Sequence, residues 1–263
     1  MIELSEVGVD IGAKRIVAGV SLQAEAGQLT AIVGPNGSGK TTLLKAISGE
    51  WAYRGSIMLA GRELRTMKPW EMAGLRAVLP QATSLSFPFT VLEIVRLGLT
   101  SGLSGVTGPA LAHLAEEALR RVDLAGFADR FYQELSGGEQ QRVQLARVLC
   151  QVWQPVLDGQ ARFLLLDEPV SSLDIKHQLI IMGIARDFAK AGGGVVAILH
   201  DLNLTAMFAD RIVMMHHGRA EAVGGPDQVL VDERISRVFE CGLRVGVTPA
   251  GGAPFVLPQS ATL

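Results

Sequence analysis

The sequence is poor in the features that mark many simple protein classes. It holds only two cysteines, Cys150 and Cys241, with no metal-ligand spacing and no pairing pattern, so a disulfide scaffold and a cysteine-built metal site are excluded. Two reduced thiols in a cytosolic protein are the expected state. Charge of one sign is also missing: Lys+Arg number 24 against Asp+Glu 26, a net −2. That leaves no global basic field to hold nucleic acid. No run approaches the ~18 apolar residues of a membrane span. The N-terminus, MIELSEVGVD, has neither the basic nor the apolar region of a secretory leader. Internal repeats, low-complexity tracts and long linkers are absent too.

What the chain does have is apolar surface. Hydrophobic residues make up 48% of 263 residues and mean hydropathy is +0.30, enough for one large domain or two small ones. Such a balance in a chain without spans predicts a hydrophobic partner for part of the surface. Short β-rich runs fill the first 60 residues, at Ile2–Val9, Leu29–Val33 and Ser56–Leu59, separated by Gly-rich turns. Helical sequence follows Thr41. From about 90 to 155 the pattern is helical, with Leu111, Leu114, Ala115, Ala118, Leu119 and Val122 on one face. Glu116/Arg120 and Glu117/Arg121 form i,i+4 pairs on the other. Apolar strands at Arg162–Leu166 and Val195–Leu199 flank a helix around Gln178–Lys190, which Gly192–Gly194 ends. Alternation of continuous apolar runs with helices predicts a parallel sheet covered on both faces, with a helical insert. QPVLDGQ, Gln154–Gln160, reads as the loop that closes this insert.

Three short motifs carry the chemistry. Residues 34–41 are GPNGSGKT, a strand-to-helix loop of the form G-x-x-x-x-G-K-[ST]. Gly34, Gly37 and Gly39 allow backbone N–H groups to approach a polyphosphate, and the following helix points its positive end at the anion. Lys40 can reach the β- and γ-phosphates, Thr41 offers a hydroxyl to Mg²⁺, and Thr42 can touch a phosphate oxygen. Residues 163–168, FLLLDE, form a buried strand that delivers Asp167 and Glu168 at its C-terminal end, where ligands bind in open parallel sheets. Asp167 suits Mg²⁺ and Glu168 suits polarisation of an attacking water. Read as adjacent strand residues, the two acids point opposite ways. Residues 135–142, LSGGEQQR, hold Ser136 and Glu139 as a capping box that opens a helix, with Gly137 and Gly138 leaving its amides uncovered. The chain thus carries two anion sites.

LSGGEQQR, with GPNGSGKT before it and LLLDEP after it, resembles the ATP-binding-cassette (ABC) ATPase family over nearly the whole chain. The resemblance implies an α/β fold: a P-loop NTPase (RecA-like) core with an N-terminal antiparallel β subdomain and an inserted α-helical subdomain. Residues 1–88 and 160–263 would form the core and 89–159 the helical subdomain with the signature, all within one domain. It implies ATP and Mg²⁺ as ligands. Nucleotide contacts fall on Gly34, Pro35, Asn36, Gly37, Ser38, Gly39, Lys40, Thr41 and Thr42, with Ser136, Gly137, Gly138 and Glu139 from the signature. Gln81 matches the Q-loop glutamine, Asp174 in SSLD the D-loop, and His200 in AILHDLN the switch histidine. Catalysis would rest on Glu168, His200, Gln81 and Lys40, and Mg²⁺ on Thr41, Gln81 and Asp167. The family arrangement is a head-to-tail homodimer in which GPNGSGKT of one subunit faces Ser136 and Gly138 of the other.

No membrane span, coiled coil or second cassette accompanies these motifs, so the resemblance implies a stand-alone motor that docks on separate permease subunits, peripheral to the cytoplasmic face of the inner membrane. The stretch LPQATSLSFPFTVLEIVRLG, the segment QPVLDGQARF with HQ at 177–178, and the C-terminal RVFECGLRVGVTPAGGAPFVLP are similar to importers of iron complexes and cobalamin, hemin importers above all. A periplasmic binding protein then enters indirectly, and nucleic acid has no part. Ferric siderophore or cobalamin import is the alternative. A non-transport cassette acting as an ATP-dependent interaction switch is a further one, against which intact Lys40, Glu168 and His200 argue. The apolar stretch after Gln81, with Leu85, Phe87 and Phe89, is the expected permease groove, and at least one of the three should be exposed. One departure stands out: the aromatic that stacks on adenine in the family is here Ile11, with Lys14 or Arg15 nearby. Adenine on an aliphatic side chain predicts that GTP competes with ATP to within about tenfold, less than ~1.4 kcal/mol, in competition binding.

Overall fold

A computed structural model describes residues 1–81, 87–248, 251 and 254–261 of the chain. Its elements, in chain order, begin with β1 (Ile2–Ile11), β2 (Lys14–Ala24), β3 (Leu29–Val33), α1 (Lys40–Ser48), β4 (Arg54–Leu59), β5 (Arg62–Glu63), α2 (Pro69–Leu75) and β6 (Arg76–Leu79). A helical stretch follows: α3 (Val91–Leu97), α4 (Pro109–Arg121) and α5 (Gly137–Gln151). The remainder comprises β7 (Val156–Leu157), β8 (Gln160–Ala161), β9 (Phe163–Asp167), α6 (Ile175–Lys190), β10 (Gly194–Ile198), α7 (Leu202–Phe208), β11 (Arg211–His216), β12 (Arg219–Gly224), α8 (Pro226–Val229) and α9 (Asp232–Phe239).

Six strands form the central sheet in the order β12-β11-β3-β10-β9-β6. All neighbouring pairs are parallel except β11 with β12 at one edge. The three middle strands, LTAIV, FLLLD and GVVAI, are buried at every position. That burial follows from the strand period of two. Leu164, Leu166, Val195 and Ala197 face one hydrophobic cluster with α3–α6. Phe163, Leu165, Val196 and Ile198 face a second cluster, shared with α1 and an antiparallel sheet ordered β2-β1-β4-β5. A sheet with both faces covered must be apolar throughout, and it is. Each fully buried Leu or Ile here stabilises the fold by ~1.5–3 kcal/mol relative to exposure.

The helical reading of α4 holds at its apolar face, where Leu114, Ala115, Ala118 and Leu119 are buried. On the charged face the expected Glu117/Arg121 pair forms and Glu116/Arg120 does not. Arg120 pairs with Glu117 three residues back, and Glu117 also takes Arg121 at 3.6 Å, while Glu116 lies 3.8 Å from His113. Expected edges of elements shift as well: β1 runs on to Ile11, β4 starts at Arg54, and α6 begins at Ile175. QPVLDGQ is not a plain loop. Val156–Leu157 and Gln160–Ala161 pair antiparallel around Asp158-Gly159, both at positive φ. Asp-Gly is the usual sequence for such a two-residue turn, and strands of two residues are too short to read from alternation.

Candidate nucleotide site

The phosphate loop leaves β3 and enters α1. Gly34 takes φ +145°, and a Cβ there would collide with Met215 O, so no other residue allows the loop to pack on β11. Gly39, at φ +98°, caps α1 without a side-chain hydrogen bond. The first amides of a helix have no partner inside it, and here they open onto a cleft of ≈ 760 Å³. Into this cleft come Asn36, Gly37, Gly39, Lys40, Thr41 and Thr42 from the loop, Gln81 after β6, Glu168 after β9, and His200 after β10. Ile11, 42% exposed, Lys14 and Ile16 line its outer wall. Arg15 turns away to Asp10, at 3.1 Å. Ile16 had no motif to mark it and reaches the cleft because β2 runs beside the loop.

Lys40 is nearly buried, and its Nζ donates to Gly34 O at 2.8 Å and Pro35 O at 3.0 Å. Burial lowers its pKa, against the pull of Glu168 and Asp167. Ser38 is buried and its Oγ is an unpaired polar atom beside the cradle. Thr41 Oγ1 donates to Asp167 Oδ1 at 3.2 Å. A hydroxyl and a carboxylate side by side are the oxygen donors a hard cation such as Mg²⁺ takes, so the residues present fit the ion.

Asp167 is the last residue of β9 and is 3% exposed. Glu168 has already left the strand, with φ +53°. The opposite-facing pair of strand residues is therefore corrected: the backbone turn at Glu168, not strand alternation, separates the acids. Glu168 Oε1 lies 2.7 Å from His200 Nε2. Glu168 O accepts from Gln141 Nε2 at 2.7 Å, a contact across 27 residues of chain that nothing local announces.

The signature builds a second cleft. Ser136 caps α5, its Oγ accepting from Glu139 N while the Glu139 carboxylate takes the Ser136 N–H and O–H at 2.8 and 2.7 Å. The Ser136 hydroxyl and amide hold the Glu139 carboxyl below its ordinary range. Ser136, Gly137, Gly138 and Glu139 line this cleft together with Ser172 and Asp174. Asp174 caps α6, accepting from His177 N at 2.9 Å, and that bond chiefly keeps its carboxyl acidic. No residue lines both clefts. Within one chain, then, the two clefts stay apart.

Comparison with known proteins gives a consistent picture. Residues 17–171 match the family model described as ABC transporter. A Hemin import ATP-binding protein HmuV from Mesorhizobium japonicum is 70% identical over 261 residues, covering 99% of each chain. A protein of the same name from Chelativorans sp. is 63% identical with the same coverage. Among solved structures, a dimeric post-hydrolysis state of an ATP-binding cassette bound to ADP and Pi aligns with a TM-score of 0.74 and 28% identity, covering 86% of this chain and 99% of that one.

One consequence of the site is a pH-dependent cost. Burial raises the Asp167 carboxyl above its ordinary value, Thr41 opposes the rise, and Glu168 adds to it. The native state then keeps this proton to higher pH than the unfolded chain does. Stability falls as pH rises through the interval between the two values, and the cost is complete above it. Asp167→Asn should raise the unfolding temperature of the nucleotide-free protein in chelator. The gain should shrink as pH approaches 3.8, measured by thermal unfolding over a pH series.

Proposed function

We propose that this chain, which belongs to the ABC transporter family, is the ATP-hydrolysing motor subunit of a bacterial importer that takes up hemin through a separate transmembrane permease. The observation that carries the reading is the Glu168–His200 pair at 2.7 Å in the phosphate-loop cleft, in a chain 70% identical end to end to a hemin import ATP-binding protein. No helix among the described residues is long and apolar enough to cross a membrane. The motor then sits on the cytoplasmic face of the inner membrane and is held there by its permease, with a periplasmic binding protein delivering cargo on the far side.

The chemistry follows from the side chains. Thr41 and Asp167, with Gln81 nearby, would hold Mg²⁺, which would supply charge neutralisation at the phosphates. Lys40 exchanges its two loop carbonyls for phosphate oxygens, and its burial makes that charge count for more than at a surface. His200 Nε2–H donates to one oxygen of Glu168 and fixes the carboxylate. The other oxygen then accepts a proton as water attacks the γ-phosphorus in line, the bond to the bridging oxygen breaks, and ADP leaves with phosphate as the second product. The amides of Asn36 to Thr42 hold the phosphates, with Gly34, Pro35 and Ser38 shaping the turn, and Ile11 carries the base. The two clefts within one chain are complementary in function: Ser136, Gly137 and Gly138, supported by Glu139, close on the γ-phosphate held by a second copy. Asp174 sits at the seam of that head-to-tail homodimer.

Permease contact is assigned to the surface beside Gln81 and to the helical part, 89–159. Phe87 is 72% exposed and Phe131 46%. Phe89 is only partly buried, against the core, and Leu85 lies outside the described residues. A bridge between Thr90 and Phe131, and donation from Tyr132 N to Phe89 O at 2.9 Å, hold the two exposed rings on adjacent segments. Two exposed aromatics suit a short apolar helix of the partner.

Glu168→Gln should lower turnover by roughly 10²–10⁴-fold and hold an ATP-bound dimer, visible by size-exclusion chromatography. A variant that stays monomeric with ATP and turns over normally removes Glu168 from its role. For cargo, ATPase activity in vesicles with the permease and binding protein should rise on addition of hemin. A rise with ferric siderophore or cobalamin instead reassigns the cargo and keeps the motor.

A further inference from the structure

Among the described residues, one group of ligand-type side chains lies outside both nucleotide clefts. His216 ends β11, His217 opens the turn to β12, and Glu240 follows α9. One ligand atom from each lies within 4.8 Å of the others. His216 is half-buried and the other two are exposed. The two imidazole centroids are 3.9 Å apart.

Two of these residues hold a left-handed backbone. His217 has φ +46° and Glu240 φ +55°, a left-handed region that costs an L side chain roughly 1–2 kcal/mol. Glu240 is also the C-terminal cap of α9. The helix end there carries partial negative charge, so a carboxylate is repelled where glycine or a cation is favoured. Each feature alone is ordinary. Together they bring two nitrogen donors and one oxygen donor to a single point on the surface, with the carboxylate placed where positive charge is wanted.

The donor set selects the ligand. Two imidazoles with one carboxylate suit a divalent first-row transition ion, Zn²⁺ foremost, and are too nitrogen-rich for Mg²⁺ or Ca²⁺. Bonds of about 2.0–2.2 Å put neighbouring donors about 3–3.5 Å apart, which the exposed His217 and Glu240 reach by rotating toward the half-buried His216.

The turn that carries the imidazoles braces the phosphate loop. Gly218 N donates to Ser38 O at 3.1 Å, and Gly218 O accepts from Ala18 N at 2.8 Å. Gly218 has φ +77° and a Cβ there would strike Ile16 O. The preceding Met215 O lies where a Cβ on Gly34 would be. We propose that His216, His217 and Glu240 bind one divalent first-row transition ion, best fitted by Zn²⁺, which ties the end of α9 to the turn that braces the phosphate loop.

The test uses the full chain, without nucleotide, in a Cys241→Ser background so that the exposed thiol beside Glu240 cannot substitute as a ligand. Zn²⁺ titration by calorimetry should give one ion per chain. Co²⁺ should give the absorption bands of a nitrogen- and oxygen-ligated centre. His217→Ala and Glu240→Gln should each weaken Zn²⁺ binding roughly tenfold or more, no less than loss of an outer-sphere partner would, while His113→Ala leaves it unchanged. Zn²⁺ should also slow amide exchange across β11, β12 and α9. The proposal is overturned if no stoichiometric Zn²⁺ binds, or if the double variant His217→Ala/Glu240→Gln binds it as tightly as the parent.

Discussion

One row of main-chain hydrogen bonding sets the level at which the chemistry happens. In the parallel register Ile32 pairs with Ile198 and Ile198 with Asp167. Leu166 pairs with Leu79 on the far side. Three different segments therefore leave the sheet at the same height: the phosphate loop after Val33, Glu168 after Asp167, and His200 two residues past Ile198. Gln81 joins them from β6. A slip of one residue in any of these strands would turn Phe163, Leu165, Val196 or Ile198 from one hydrophobic cluster into the other. The burial that stabilises the sheet is thus what fixes the distance between Glu168 and His200.

Polar links within the helical part and from it to the core are unequal. Arg142, buried on α5, donates to Val122 O at 2.9 Å and Asp123 O at 2.7 Å at the end of α4. Charged hydrogen bonds of that kind contribute about 1.5–3 kcal/mol each. Lys176 reaches Asp123 at 2.7 Å from α6, but both side chains are about half exposed, and such a pair is worth ~0–1 kcal/mol. Arg142 is consequently the firm link within the helices, and Lys176 a soft one between helices and core. Gln141 adds a direct line from α5 to the backbone of Glu168. The signature helix and Glu168, the proposed catalytic carboxylate, are joined inside one subunit, even though their clefts are separate.

Legibility varied with range. GPNGSGKT, LSGGEQQR and LLLDEP could be read because each is a contiguous turn or cap whose geometry its own residues dictate. The capping box of Ser136 and Glu139 forms as its spacing demands. The buried strands were readable because a run such as FLLLD has few alternatives. Less was visible where partners are far apart or elements are short. The hairpin at 156–161 hides in two-residue strands. Ile16 enters the cleft only because β2 passes beside it. The left-handed turn at Glu168 is imposed by the end of β9 and the bonds to its carbonyl oxygen.

The sequence by itself determined which local features the chain carries: a glycine-rich loop of phosphate-cradle form, two acids at a strand end, a capped helix opened by Gly137 and Gly138, and the fold class that joins them. These are local, since glycines, caps and apolar runs act on their immediate neighbours. The tertiary structure decided which of them meet. It put Glu168 against His200 and Thr41 against Asp167, kept Ser136 in a cleft of its own, and gathered His216, His217 and Glu240 at the back of the phosphate loop. Those meetings depend on strand register and helix docking, which are set by packing summed over the whole core and are not written in any one segment.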